Sequence, residues 1–289
     1  MKLIHISLIV VLISIVGCIN QSSSEIPASD EKKSNIHSGL MDRDSVLYQM
    51  PSPGEIMKRF DTEKFQYKPE LLSAPENKSS YITTLSKSLN LGIYISDMAY
   101  CANFGMTNEA IAYLETIKIL SYEVNISTSV FESLIQRTKI LIGQRDSIIA
   151  ISDEVYNEMI NYLGSGGKIN TIALISSGAL IESMFLVIES ADQNINKTEM
   201  IKHLEDLRTP LENLLAQTQN SDNDPNFIII QLILQEIKNM FLKLNSENTQ
   251  ILVTGNEGNA PPEGGMLNED NFASLKMKVR EIRSNIIRN

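Results

Sequence analysis

Apolar positions recur along most of this chain with the 3.6-residue period of an α-helix. Residues 107–125 set Ala110, Leu114, Ile117, Leu120 and Val124 on one stripe in steps of three and four. The same spacing predicts helices over 128–143 (Val130, Phe131, Leu134, Ile135, Leu141) and 145–163 (Ile148, Ile151, Val155, Met159, Tyr162). It recurs over 197–220 (Ile201, Leu204, Leu211, Leu214, Leu215), 225–245 (Ile230, Ile233, Ile237, Met240, Leu244) and 270–288 (Leu275, Val279, Ile282, Ile286). Punctuation agrees with the period. Ser52-Pro53-Gly54-Glu55 reads as a capping box with proline at the first helical position, opening a short helix that buries Ile56, Met57 and Phe60. A loop carrying Pro69 and Pro75 follows it. Gly105, Gly143 and the "GSGG" at 164–167 read as helix stops. Thr209-Pro210-Leu211-Glu212 reads as a second box and predicts a break, and Asp224-Pro225 caps the helix after it.

Two segments depart from one-sided patterning. Residues 79–104 are apolar around most of the circumference in their second half, "LNLGIYISDMAYCANF", and 169–190 is the most hydrophobic stretch beyond the N-terminus. The second has the ~20 residues a membrane crossing needs. Asn170, Ser176, Ser177, Gly178 and Glu182 interrupt it, and a carboxylate at mid-bilayer costs ~3 kcal/mol or more. Both segments therefore read as central, buried helices, with the small residues letting a neighbour approach closely. Residues 246–268 change character: "TQILVTG" suits a short strand, and "NEGNAPPEGG" is a loop. Short connections imply antiparallel neighbours. The expected fold is all-α, a multi-helix antiparallel bundle or helical array of about eight to nine helices. No repeat near 34 residues carries matching positions, so a tetratricopeptide array is not supported.

The first fifty residues follow different rules. Residues 1–17 begin with Lys2 and hold an apolar run from Ile6 to Val16, too short to cross a bilayer and right for a secretory leader. Ile15-Val16-Gly17-Cys18 resembles the bacterial lipobox, with isoleucine where leucine is usual. That resemblance implies cleavage before Cys18 and a diacylglycerol on its sulfur, an anchor of ~0.8 kcal/mol per buried methylene. Residues 18–50 are rich in serine and charge and read as a flexible lipidated tether. The domain plan is then a signal peptide at 1–17, a tether at 18–50, and one helical domain at 51–289 with an irregular loop at 246–268.

Composition narrows the chemistry. The net charge is −10, and one more negative once Lys2 leaves with the leader, which argues against nucleic acid as a partner. With Cys18 lipidated, Cys101 has no disulfide partner and suits a core position in "MAYCANF". The three histidines are His5, His37 and His203, so a histidine zinc site and a di-iron centre built on two Glu-x-x-His motifs are not expected. "NSDNDP" at 220–225 fails the calcium-loop pattern, with Pro225 and Gln231 where glycine and glutamate belong. "GSGGK" at 164–168 lacks the strand and the hydroxyl residue of a phosphate loop. No cofactor, metal site or catalytic residue is assigned.

One cluster invites chemistry. Asn90, Tyr94, Asp97 and Cys101 follow one another in steps of four, three and four, with Tyr100 beside them, and Glu182 poses the same problem on the other central helix. Ionisable groups on apolar helices need partners. They form either a hydrogen-bond network that fixes helix register or a polar pocket in which burial raises the carboxylate pKa values.

"PSPGEI" at 51–56, "LNLGIYISDMAY" at 89–100 and "SGALIES" at 177–183 resemble an uncharacterised all-helical lipoprotein family of Bacteroidota-type bacteria. Its motifs map onto Leu91, Gly92, Tyr94, Asp97 and Tyr100, then Gly178 and Glu182. The chain lacks the tryptophan that family carries near the glycine. The resemblance implies a helical envelope protein and transfers no activity. The expectation is a cell-envelope lipoprotein, outer membrane favoured and either face open. It meets the membrane through its lipid and acts as a non-enzymatic binding or scaffolding module for a protein partner. Two alternatives stand beside it. One is a solute-binding lipoprotein with a pocket between helices 79–104 and 169–190. The other is an enzyme that uses Asp97 and Glu182 as paired carboxylates.

Overall fold

Ser52 opens the first helix as its neighbours predict. Its hydroxyl accepts the Glu55 N–H at 3.0 Å, and the Glu55 carboxylate accepts the Ser52 N–H at 2.8 Å. The resulting helix α1, Pro53–Lys58, buries Ile56 and Met57. The structure is a computed structural model, and it describes residues 50–59, 65–141, 143–190, 200, 203–219, 225–251 and 269–288. The expected leader at 1–17, Cys18, nearly all of the expected tether at 18–50, Phe60 and residues 252–268 lie outside the described residues.

Thr83 repeats the device one element later. It accepts the Ser86 N–H at 3.0 Å and donates its own N–H to the Ser86 hydroxyl, starting α2 at Thr84 and carrying it to Asn103. Periodicity places this start at residue 79. Residues 75–79 instead form a 3₁₀ turn behind Pro75, because the capping box at Thr83 sets the helix start. α2 ends where Gly105 takes φ +72°: the Met106 N–H reaches back to Cys101 O at 2.8 Å and the Gly105 N–H to Ala102 O at 3.0 Å. This paired closure needs a left-handed residue, which glycine supplies without a Cβ penalty. Asn125 serves the same purpose after α3, Thr107–Glu123.

α4 (Ser129–Ile140) and α5 (Arg145–Ser165) follow, and the "GSGG" stop then works through Gly167 and Lys168, whose N–H bonds Leu163 O at 2.9 Å. α6 spans Ile169–Ser190. A short helical turn at 203–205 breaks at Asp206 and Leu207, and α7 then runs Arg208–Gln219 with Pro210 in its first turn. α8 runs Pro225–Ile251, and α9 runs Glu269–Arg288. Two expectations change here. The helical pattern of α8 continues through Thr249 and Ile251, where a strand and an irregular loop were expected from residue 246. Tyr162 turns partly outward at 39% exposure, since "GSGG" ends α5 one turn later.

The described residues form an all-α fold, 84% helical and without strands. α2 and α6 are its axis. α2 packs on α6, α3, α5 and α1; α6 also meets α7 and α9; α8 lies against α7 and α9. The crossing of α2 and α6 is backbone on backbone. A Cβ at Gly92 would run into the Ile175 carbonyl, and one at Gly178 into the Leu89 carbonyl. Ser96 seals the contact by donating to Ala179 O at 2.9 Å. α6 has the length and composition to cross a membrane, and 94% of its most apolar window is buried inside the protein.

Candidate functional site

Residues 65–82 join α1 to α2 with two 3₁₀ turns, Pro69–Leu71 and Pro75–Ser79. Proline at the first position of each turn starts it, and neither turn grows into an α-helix. Such a strap cannot satisfy its own backbone, and buried peptide groups left unpaired are costly. Side chains from the helices supply the partners. The Tyr100 hydroxyl donates to Gln66 O at 3.0 Å and accepts the Lys68 N–H at 3.0 Å. Tyr94 donates to Ala74 O at 2.8 Å, and Tyr113 of α3 donates to Ser73 O at 2.9 Å. Asp97 Oδ2 accepts the Ser73 N–H at 3.1 Å. The strap is held like a bound peptide, by Tyr94, Asp97 and Tyr100 spaced along α2 and by Tyr113 of α3.

Under the strap sits a three-part charge cluster. Arg283 of α9 grips Glu182 of α6 in a two-pronged pair, Nε to Oε2 at 3.0 Å and Nη2 to Oε1 at 3.1 Å. The same Nη2 donates to Leu71 O at 2.7 Å and to the Ser73 hydroxyl at 3.0 Å, so the guanidinium also clamps the strap. Its flat face lies 4.5 Å from the centre of the Phe185 ring. Asp97 stands within hydrogen-bonding reach of Glu182. Both acids have no exposed surface.

Two carboxylates facing one arginine in a dry site do not both ionise. Burial lifts the Asp97 carboxyl well above the usual aspartate range and the Glu182 charge lifts it further, against the pull of Arg283 and the Ser73 N–H. Burial raises Glu182 too, while Arg283 holds it down by charge and hydrogen bond. The proton therefore resides on Asp97 and the negative charge on Glu182. Asp97 Oδ1 receives no hydrogen bond, as expected of a carboxyl oxygen that carries the proton. The cluster sums to zero charge. The surrounding groups are neutral as well. Burial pushes Tyr100 up to about 12 and drives Tyr94, Tyr113 and the Cys101 thiol upward.

The structure thus brings Asp97 and Glu182 together and sets Tyr94 and Tyr100 on the same strap. Asn90 belongs elsewhere: its amide donates to Ser86 O at 2.9 Å and to Ile286 O at 3.1 Å, tying α2 to α9. Three participants escape sequence reasoning, namely Arg283, Ser73 and Tyr113. Arg283 did leave a signal, because it falls four residues after Val279 and three before Ile286, on the apolar stripe of α9. α2 and α6, between which a solute pocket was expected, meet backbone on backbone at Gly92 and Gly178, and Arg283 lies against Glu182 one turn further along α6. A cavity lies instead between the start of α2, α8 and α9. Among the described residues no three His, Cys, Asp or Glu side chains converge as metal ligands. Comparison of the chain with protein-family models, curated proteins and solved structures finds no match.

Proposed function

We propose that this chain is a non-enzymatic lipoprotein of the bacterial cell envelope. Its helical body binds or scaffolds a partner while acyl groups on Cys18 tie it to a membrane. The observation that carries the non-enzymatic reading is the engagement of the two acids. Asp97 and Glu182 are buried and spend hydrogen bonds on Ser73 and Arg283, which supports a structural role for them. A general acid or base must reach a substrate proton, and neither group has surface to do so. The anchoring reading rests on the Ile15-Val16-Gly17-Cys18 order, the apolar run before it and the serine-rich stretch after it. Exposed apolar side chains on α8, Ile228 at 52% and Leu232 at 67%, support a binding role.

Mass spectrometry of the envelope-extracted protein tests the anchor. The expected N-terminus is a diacylated Cys18, and an unmodified thiol or a retained leader in the aqueous fraction refutes it. A pull-down from detergent-solubilised envelope, against a tether-only control, tests the partner. Recovery of nothing beyond the control removes the scaffolding role.

A further inference from the structure

The first turns of α2, the first half of α8 and the last turns of α9 enclose a cavity of about 450 Å³. That falls within the ~300–1,000 Å³ of typical small-molecule sites. Leu85, Leu89, Ile229, Ile233, Ile282 and Ile286 form most of its walls, with Asn285 beside them, and among the described residues no aromatic ring lines it. On α8, Ile229, Ile233 and Glu236 follow helical spacing and face this space, while Ile230, Leu234 and Ile237 turn into the core. The hydroxyls of Thr83 and Ser86, at one end, are already occupied in the cap of α2. Behind the wall, the buried Asn90 amide bonds the carbonyls of two lining residues, Ser86 and Ile286, while its Oδ1 receives no donor. A buried amide oxygen left unpaired costs stability and calls for a reason. Here the amide fixes the spacing of α2 and α9, which sets the cavity width.

Two carboxylates mark the mouth. Glu236 and Glu281 both line the cavity, and both pair with Lys278 at 2.8 Å. Two acids against one lysine leave the rim negative, on a chain already at −10. The lining Ile229 is 48% exposed, and Ile82, next to the lining Thr83, is 84% exposed. Apolar surface therefore continues from the cavity to its rim.

We infer that this cavity binds the single alkyl or acyl chain of an amphiphile whose headgroup is uncharged or cationic. Smooth aliphatic walls without ring-shaped partners suit a flexible hydrocarbon chain, and each buried methylene contributes ~0.8 kcal/mol. The negative rim accepts a cation or a neutral polar group and repels a carboxylate or sulfate. This site is separate from the Asp97–Glu182 cluster, and the inference stands whether or not Cys18 carries lipid.

Isothermal titration of the full chain carrying Cys18→Ser, which removes any lipid of its own, provides the test. The probes are dodecyltrimethylammonium, dodecyl maltoside and laurate, each below its micelle concentration. The first two should saturate one site, and laurate should bind at least about tenfold more weakly. Ile233→Glu, at a half-buried wall position, should weaken dodecyltrimethylammonium by about tenfold or more, with thermal unfolding confirming that the variant folds. Glu236→Lys combined with Glu281→Lys should reverse the order of dodecyltrimethylammonium and laurate, which a merely structural role for these residues does not predict. The inference fails if no probe saturates, if Ile233→Glu binds as the parent does, or if charge reversal leaves the order unchanged. It also fails if no alkyl chain binds and Ile233→Glu turns a dimer into a monomer, since that makes the face an interface between copies of the chain.

Discussion

Asp97→Asn should leave the protein nearly as stable at pH 4 and make it progressively more stable than the parent as pH rises. The reasoning starts from hydrogen bonds. A protonated Asp97 accepts the Ser73 N–H on Oδ2 and can donate from its other oxygen, with the Glu182 carboxylate as the neighbouring acid. Asparagine reproduces both, with its carbonyl toward Ser73 and its NH2 toward Glu182, so the exchange is within about 1 kcal/mol while Asp97 is neutral in both states. Above the unfolded aspartate value of ~3.9 the two chains diverge. The folded parent keeps a proton that its unfolded chain has released, so raising pH favours the unfolded state. The loss runs at up to ~1.4 kcal/mol per pH unit until the raised folded-state value is passed. The variant carries no such proton. Its advantage over the parent therefore grows by up to ~2.8 kcal/mol between pH 4 and 6. Glu182 and Arg283 are common to both chains. Tyr81, Tyr94, Tyr113 and Cys101 are raised and stay neutral in this window. Urea unfolding followed by far-ultraviolet circular dichroism at pH 4, 5, 6 and 7 measures the difference. A flat difference, or one that moves toward the parent with rising pH, means that Asp97 is ionised in the folded protein and refutes the shared-proton account.

Arg283→Met should cost about 3–5 kcal/mol, because it leaves the Glu182 charge buried and uncompensated. The double variant Glu182→Gln/Arg283→Met should recover a large part of that in the same denaturation assay, and a cost under about 1 kcal/mol for Arg283→Met alone would contradict the pairing. Gly92→Ala should destabilise by about 3 kcal/mol or more, as its Cβ meets backbone that cannot yield. Gly105→Ala has open space around it and should lose only the left-handed penalty of roughly 1–2 kcal/mol, so equal losses in thermal melts at the two positions would be a failure. Ser52→Ala should cost about 1–2 kcal/mol through the lost cap and the lost hydrogen bond to Asp153, read from the shift in urea midpoint.

Local features were legible because their causes are local. The Ser52–Glu55 box, Gly105, the "GSGG" stop and the stripes of α3 and α9 each depend on residues within a turn or two of one another. The two central helices announced themselves by apolarity on all faces, and Asp97 and Glu182 stood out as charges where none belongs. What completed the site did not follow any period. The strap has no repeat, and its structure comes from tyrosines that lie 20 to 40 positions away in the chain. Arg283 pairs with Glu182 across 101 positions, a distance that no window of local pattern spans. The cavity beside α8 arose from how three helix faces diverge, and helical period alone does not say where neighbouring helices part. The extension of α8 to Ile251 reflects the same limit. "TQI" carries β-branched residues that suit a strand in isolation, but here they continue a helix already nucleated upstream.

The clamp of Arg283 on Glu182 also sets an order of events for a chain made from its N-terminus. Until α9 emerges, α6 carries an acid with no counter-ion, and the strap lacks one of its fasteners. The earlier helices can collapse but cannot lock, so a nascent chain stays pliable until α9 is delivered. Maturation of the core is thereby tied to the arrival of α9, a timing device written in electrostatics.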